Sequence, residues 1–251
     1  MLKLSNLKID PEFSAQILPL SFEELQQLEQ NIIAEGRLLN PIITWNGYIL
    51  DGHTRYRILK KHGFIKFEVE EIQLANKYEA LAWICKNQLG RRNLSPERKK
   101  FLLGKEYEST KLAVGGQPGN CNKVNRCDQN DHIDSEKRTC ERIAVEHGVG
   151  SATVRRAEKY MNGVEAADEA APGAREEILN GKIKAADREI CAIAKAPKEQ
   201  RPEIVAELRK PKSERDKQLA SSTKSPSVKV ESFDDDGSRF LIGISKKVQG
   251  H

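Results

Sequence analysis

Large side chains are scarce in this chain. Aromatic residues make up 6% of it, and methionine and tryptophan occur twice each. With 38% hydrophobic and 31% charged residues, the composition suits small cores and much exposed helix surface. No apolar run approaches the ~18 residues of a membrane-spanning helix, and the opening stretch, Met1 to Lys8, lacks the apolar centre of a signal peptide. A cytoplasmic protein with no membrane partner is the expectation. The five cysteines, Cys85, Cys121, Cys127, Cys140 and Cys191, are odd in number and scattered, which argues for reduced thiols rather than a disulfide framework. Cys121, Cys127, His132 and Cys140 do not form the two close ligand pairs of a zinc knuckle, so no metal site is expected. Charge of one sign is lacking too. A net charge of +5 permits a nucleic-acid partner without arguing for one, and the question becomes whether positive charge gathers on one face.

Four stretches differ in texture. Residues 1–112 mix strands and helices. Ser21 and Glu24 form a capping-box pattern ahead of Leu25, Leu28, Ile32 and Ile33 at helical spacing, and Gly36 closes that helix. Asn40 to Trp45 reads as a strand, Asn46-Gly47 as a tight turn, and Tyr48 to Leu50 as the returning strand. Helices are expected over 54–62, 76–87 and 96–112, the last with Pro96 in its first turn, and a strand over Phe67–Leu74. Residues 113–136, rich in Gly, Asn, Asp and Pro, read as a flexible linker. Residues 137–210 read as all-helical, and 211–251 as a largely disordered tail in which only Arg239 to Ile244 could form a strand.

The segment from Cys140 to Lys159 has the pattern of a helix-turn-helix. Ala144 supplies the small residue needed where two helices cross, Gly148 tolerates the positive φ of the turn, and Val149, Val154 and Ala157 face the first helix. Ser151 is placed to cap the second helix. In that geometry Ser151, Ala152, Thr153, Arg155 and Arg156 face the major groove, while Lys159, Arg138 and Arg142 reach the DNA backbone. The competing reading is an ordinary helical hairpin with a basic face.

Upstream, Asp51-Gly52-His53-Thr54-Arg55-Tyr56-Arg57 follows the hairpin and opens a helix. A glycine at a strand-to-helix junction lets backbone N–H groups meet an anion, and Arg55 and Arg57 add charge; the alternative is a basic helix start on the surface. His53 suits an acid/base or a phosphate ligand, or else a histidine held in the motif's own hydrogen bonds. Asp51 suits a metal ligand or base, or, as the favoured reading, a helix cap. Trp45 and Trp83 read as core anchors. Arg91, Arg92, Arg98, Lys99 and Lys100 form a basic run that is either a second DNA surface or a solvated face.

The order Gly36-Arg-Leu-Leu-Asn-Pro41-Ile-Ile, a hairpin, then Asp51 to Arg57 resembles the N-terminal domain of the ParB/sulfiredoxin superfamily. In partition ParB proteins the corresponding motif reads Gly-Glu-Arg-Arg; Gly52 and Arg55 match its ends, His53 and Thr54 do not. Asn87 to Pro96 resembles the family's second motif, with Arg91 matching and Asn87 standing where an acid belongs. The Asp51-Gly-His form is similar to plasmid- and phage-borne ParB-like proteins, and the helix-turn-helix sits where ParB and KorB-like relatives carry theirs. The resemblance implies an α+β chain, with a ParB/sulfiredoxin-like α/β domain followed by an all-α helix-turn-helix domain. It implies double-stranded DNA as partner, a homodimer, a partition ATPase, and a nucleoid- or plasmid-associated location. It also implies phosphate binding by Gly52, His53, Thr54, Arg55, Arg57 and Arg91, with CTP and Mg²⁺ as the family's ligands.

Two other classes compete. A metal-dependent nuclease, or an enzyme that hydrolyses nucleotides, would use the N-terminal domain but wants clustered carboxylates, and Asp51 has no acidic partner in the matching motif. A sulfiredoxin-like reductase needs a cysteine in the Gly52 loop, and a kinase needs an acid at Asn87; neither is present. No catalytic residue is assigned.

Overall fold

Asn46 and Gly47 carry φ angles of 48° and 76°, the left-handed pair that a two-residue hairpin turn requires. They join β1 (Ile42–Trp45) to β2 (Tyr48–Asp51). The two strands run antiparallel with Trp45 opposite Tyr48, and their register shifts between Ile43 and Thr44. β3 (Val69–Glu71) lies parallel to β1, completing a mixed sheet in the order β2–β1–β3. The strand expected over Phe67–Leu74 is therefore three residues long: it is an edge strand with one neighbour, and Glu70 and Glu71 point to solvent. The structure is a computed structural model that describes residues 4–91, 93–115, 139–211 and 214, with the backbone of 232–233 and 239–240. The expected linker beyond residue 115, with Cys121, Cys127, His132 and Arg138, lies outside the described residues, as do Arg92 and most of the expected tail.

Helix starts follow local chemistry. Asp10 accepts from the backbone of Glu12 and Phe13 to open α1 (Pro11–Ser14). At α2 (Phe22–Glu35) the capping box is formed, Ser21 N–H donating to Glu24 at 2.8 Å and Glu24 N–H to Ser21 Oγ at 3.2 Å. α3 (His53–Lys61) leaves the sheet directly after β2. Asn76 caps α4 (Lys77–Leu89), and Ser95 with Pro96 opens α5 (Pro96–Ala113). Ile32, Ile42, Ile49, Tyr56, Ile58 and Leu59 close one small core on the sheet, and Phe13, Leu50, Leu81 and Ile84 another. Trp45 and Trp83 pack against the second, and Trp45 donates to the Leu74 carbonyl at 2.9 Å, as anchors rather than stacking platforms.

The remaining helices are α6 (Thr139–Glu146), α7 (Ser151–Ala170), α8 (Ala174–Leu179), α9 (Asp187–Lys195) and α10 (Arg201–Arg209). The sequence divides the chain at residue 112, placing α5 with the N-terminal part. In the structure Phe101 and Leu102 of α5 lie in one core with Tyr160, Met161, Val164, Leu179, Ile190 and Val205. Met1–Arg209 forms one compact unit. A second unit, Lys210–His251, contains β4 (Ser232–Phe233) antiparallel to β5 (Arg239–Phe240), the latter within the segment expected as a strand. The chain is α+β.

Two glycines set how closely α7 is held. A Cβ on Gly104 of α5 would lie 2.3 Å from the Ala157 carbonyl oxygen, and one on Gly163 of α7 would lie 2.2 Å from that of Ile190 in α9. Both contacts are to helix backbone, which cannot step aside as a flexible side chain would. Alanine would gain about 1 kcal/mol of helix propensity at an exposed site, but the clash outweighs it. Gly104→Ala and Gly163→Ala are each expected to lower the unfolding free energy by about 1–3 kcal/mol, measured by urea denaturation followed by circular dichroism; an unchanged midpoint would contradict the close crossings.

Candidate functional site

α6 and α7 are joined by the turn His147–Gly150, with Gly148 at φ 63° and Val149 N–H bonded to the Ala144 carbonyl at 2.9 Å. Cys140, Ile143 and Ala144 of α6 close a small core with Val154 and Ala157 of α7 and Leu103 of α5. Val149 packs at its edge. Ala144, Val154 and Ala157 are thus buried where the two helices meet, and Gly148 and Val149 lie in the turn between them. Ser151 does not cap the second helix: the cap is Gly150, in extended backbone, and no side chain bonds to the helix start. The Thr153 and Val154 N–H groups both bond to the Gly150 carbonyl, so Ser151 is already inside the helix. Arg155 lies back over it, with Nε 3.5 Å from the Ser151 carbonyl.

Ala152, Thr153, Arg155, Arg156 and Lys159 are exposed on α7, as is Arg142 on α6, and Ser151 is half-buried. α7 runs on to Ala170, well past Lys159, because Met161, Val164 and Ala167 enter the larger core. Polar struts hold the pair on α5. His147 Nε2 lies 2.8 Å from Glu106, whose carboxyl is pushed up by burial and drawn back by that imidazole, and Lys111 pairs with the buried Glu158. Glu106, Glu146 and His147 bring ligand atoms within 4.8 Å of one another, but His147 is engaged by Glu106 and Glu146 pairs with Lys86.

The second candidate lies at the start of α3. Gly52, at φ 96°, is the helix cap. The backbone there favours glycine, and a Cβ would lie 3.0–3.3 Å from the Arg55 guanidinium, which would have to give by a few tenths of an ångström. Asp51 does not cap the helix, contrary to the favoured sequence reading. The turn at Gly52 carries its carboxylate to Arg55 Nη2 at 2.7 Å and to Arg91 Nη2 at 3.5 Å. Arg55 Nη2 also donates to the Pro41 carbonyl at 3.0 Å. Asp51, Gly52, His53, Thr54, Arg55 and Arg91 line a cavity of about 170 Å³ whose apolar wall is Ile17, Leu18, Leu20 and Leu28.

Five of the six expected phosphate-binding residues therefore meet, with Arg91 arriving from beyond α4. The sixth, Arg57, is exposed on the outer side of α3 and does not line the cavity. His53 is buried, 4% exposed, and neither ring nitrogen has a partner among the described residues. It is thus not held in the motif's hydrogen bonds. Burial lowers its pKa to about 4, helped by the Arg57 charge and opposed by Asp51. The apolar wall had no signal in the motif, because it comes from the loop before α2 and from α2 itself.

No protein-family model and no curated protein matches the chain. Among solved structures it is similar to a Pnob8-like ParB-N domain, with 16% identity, 86% of each chain covered and a TM-score of 0.49. It is also similar to the C-terminally truncated chromosome-partitioning protein ParB from Caulobacter crescentus. The form complexed to the centromeric parS site has 17% identity, 88% of this chain and 91% of that chain covered, and a TM-score of 0.37. The form complexed with CTP-gamma-S has 16% identity, 82% and 96% covered, and a TM-score of 0.30.

The basic run at the start of α5 is not one surface. Arg91 turns to Asp51, Arg98 is buried against Glu176 at 2.8 Å and Asn180 at 3.2 Å, and Lys100 pairs with Asp187 at 2.6 Å. Lys99 is exposed. Three of these cations thus serve internal pairing. Asn87 is exposed and adds no carboxylate to the cavity. Among the described residues no helix is long and apolar enough to cross a membrane.

The buried His53 makes stability depend on pH. Its folded pKa of about 4 lies below the ordinary 6.5, so between these values the unfolded chain binds the proton and the folded chain does not. Stability is full above about pH 6.5 and falls as pH drops towards 4, by up to about 1.4 kcal/mol per pH unit from this group. His53→Gln should flatten the decline in chemical denaturation series between pH 4 and 7; an identical slope in the variant would show that other groups carry it.

Proposed function

We propose that this chain is a sequence-specific DNA-binding protein of the ParB type, acting in plasmid or phage partition or in transcriptional regulation, with an N-terminal pocket that takes nucleotide phosphates. The observation that carries the reading is the two-sidedness of the first turns of α7. Val154 and Ala157 are buried against α6, while Ala152, Thr153, Arg155, Arg156 and Lys159 face outward with no acidic residue in the first turn. Such a helix fits the major groove: Arg155 and Arg156 for guanine edges, Ser151 and Thr153 for bases or phosphates, Ala152 for a thymine methyl group. Lys159 and Arg142 meet the backbone, and with no side chain capping the helix start at Gly150 the Ser151 and Ala152 N–H groups suit a phosphate. A homodimer reading two half-sites follows from the twofold logic of operator DNA, and a partition ATPase is the protein partner that the ParB resemblance brings with it.

For the pocket, Gly52, Thr54, Arg55 and Arg91, with the unpartnered His53, suit a phosphate group. At about 170 Å³ the cavity is smaller than the ~300 Å³ at which ligand pockets usually begin. It takes the phosphate end of CTP, and the rest of the nucleotide requires the wall from Ile17 to Leu28 to open. Mg²⁺ does not fit the residues present: the one carboxylate lining the cavity is Asp51, and both of its oxygens face arginines. The same lack of a free acid leaves the nuclease and nucleotide-hydrolysing readings without support.

The test is fluorescence-anisotropy titration against DNA from the chain's own genomic neighbourhood at two salt concentrations. Arg155→Ala and Arg156→Ala are each expected to weaken site-selective binding by about 5- to 150-fold at an unchanged unfolding midpoint, whereas Lys159→Ala weakens all sequences evenly and lowers the salt slope by about 1. Unaltered binding in the Arg155/Arg156 double variant would refute the assignment of α7 as the reading helix.

A further inference from the structure

The pocket at α3 already contains an anion of its own. Asp51 sits at the end of β2 with its side chain about one-fifth exposed, one oxygen 2.7 Å from Arg55 and the other 3.5 Å from Arg91. These are the two cations of the cavity, and no other lining residue is charged. Because His53 is neutral at pH 7, it adds hydrogen-bonding capacity but no charge. Two guanidiniums against one carboxylate leave a single net positive charge in a half-enclosed space, where charges are screened less than at the surface.

The two contacts are unequal. Arg55 is fixed through one nitrogen, Nη2, which donates to both Asp51 and the Pro41 carbonyl, and its buried Nε has no partner among the described residues. Arg91 meets Asp51 at the long limit of a charged contact and its side chain is 38% exposed, so it can turn to another anion without opening a buried pair. His53, 96% buried on its 4% exposure and unpartnered at both ring nitrogens, faces the same cavity. Donors are therefore in place that the carboxylate does not use.

We infer that Asp51 is a built-in competitor for the pocket, a carboxylate that occupies Arg55 and Arg91 until an incoming phosphate displaces it. The inference rests on the reading of the pocket as an anion site and adds how its affinity is set. With Asp51 on the two arginines, the entering group must exchange for a carboxylate rather than meet two free guanidiniums. Affinity is held low, and the exchange favours a polyanion such as pyrophosphate or a nucleotide's phosphate chain over a single phosphate. Released from the arginines, Asp51 keeps its place between β2 and Gly52, so the pocket can close again when the ligand leaves.

Isothermal titration of the full chain with inorganic phosphate, pyrophosphate and CTP, with no metal added, tests this in wild type, Asp51→Asn, Asp51→Glu and Arg55→Ala. Asp51→Asn keeps the shape and removes the charge. It should bind pyrophosphate at least tenfold more tightly than wild type and narrow the preference over phosphate, while Asp51→Glu stays weak and Arg55→Ala weaker still. If Asp51→Asn lowers the thermal midpoint too far for titration, Asp51→Ser answers the same question. Wild-type binding that Arg55→Ala abolishes and Asp51→Asn leaves equal or weaker would make Asp51 a positioning group and overturn the inference alone. Absence of binding in wild type and Asp51→Asn alike would overturn the anion pocket itself.

Discussion

The seating of α7 depends on its close approach to α5 at Gly104. With hydrogen in place of a side chain, the backbone of α7 at Ala157 comes into direct contact with α5, and Gly163 repeats the device against α9. A helix pinned at two points along its length cannot roll, so its first two turns present one fixed face. Helix surfaces this close leave little room for long side chains, and the charged ones that flank the crossing are paired. Lys105, buried on α5, lies between Glu108 at 3.0 Å and Glu165 at 2.8 Å; burial alone would lower its pKa, but the two carboxylates raise it. Breaking such a pair leaves an uncompensated buried charge, which destabilises strongly even where the intact pair adds little net stability.

The chain uses its cations in two opposite ways. On α7, Arg155, Arg156 and Lys159 stand in solvent, where their field reaches about a Debye length and falls with salt. Around the cavity at α3, Arg55 and Arg91 are neutralised in part by Asp51 and act over hydrogen-bond distances only. Exposed cations on one helix and partly neutralised cations around a cavity thus coexist at a net charge of only +5.

One half-buried cation ties the pocket wall to the helical core. Arg175 of α8 donates to the Ala15 carbonyl at 2.7 Å and to Gln16 at 3.1 Å, and its guanidinium lies 4.4 Å from the Phe101 ring centre. The chain continues from Gln16 into Ile17, Leu18 and Leu20, which line the cavity. Ser95 and Arg98 bind α8 as well, through the Leu179 carbonyl, Glu176 and Asn180, a few residues after Arg91 enters the pocket. Both walls of the pocket are therefore continuous with the elements that seat α7.

Local chemistry was legible in the sequence. Asn46-Gly47 specified the hairpin turn, Ser21 with Glu24 the capping box, Pro96 a helix start, and the Ala144–Gly148–Val149–Val154–Ala157 spacing the helix pair, because each is decided by neighbours within a few residues. Gly52 and Arg55 likewise act one turn apart. What needed the tertiary structure was the fate of charges whose partners are distant in the chain. Arg91 and Asp51 are 40 residues apart, and Arg98 and Glu176 are 78 apart. A run of basic residues reads the same whether it faces solvent or buried acids, and a glycine inside a helix reads as a weakness until the helix that crosses it is known. Periodicity determined which residues make helices and turns; only packing decided that α5 belongs to the core it shares with α7, since burial is a property of the whole chain and not of any window along it.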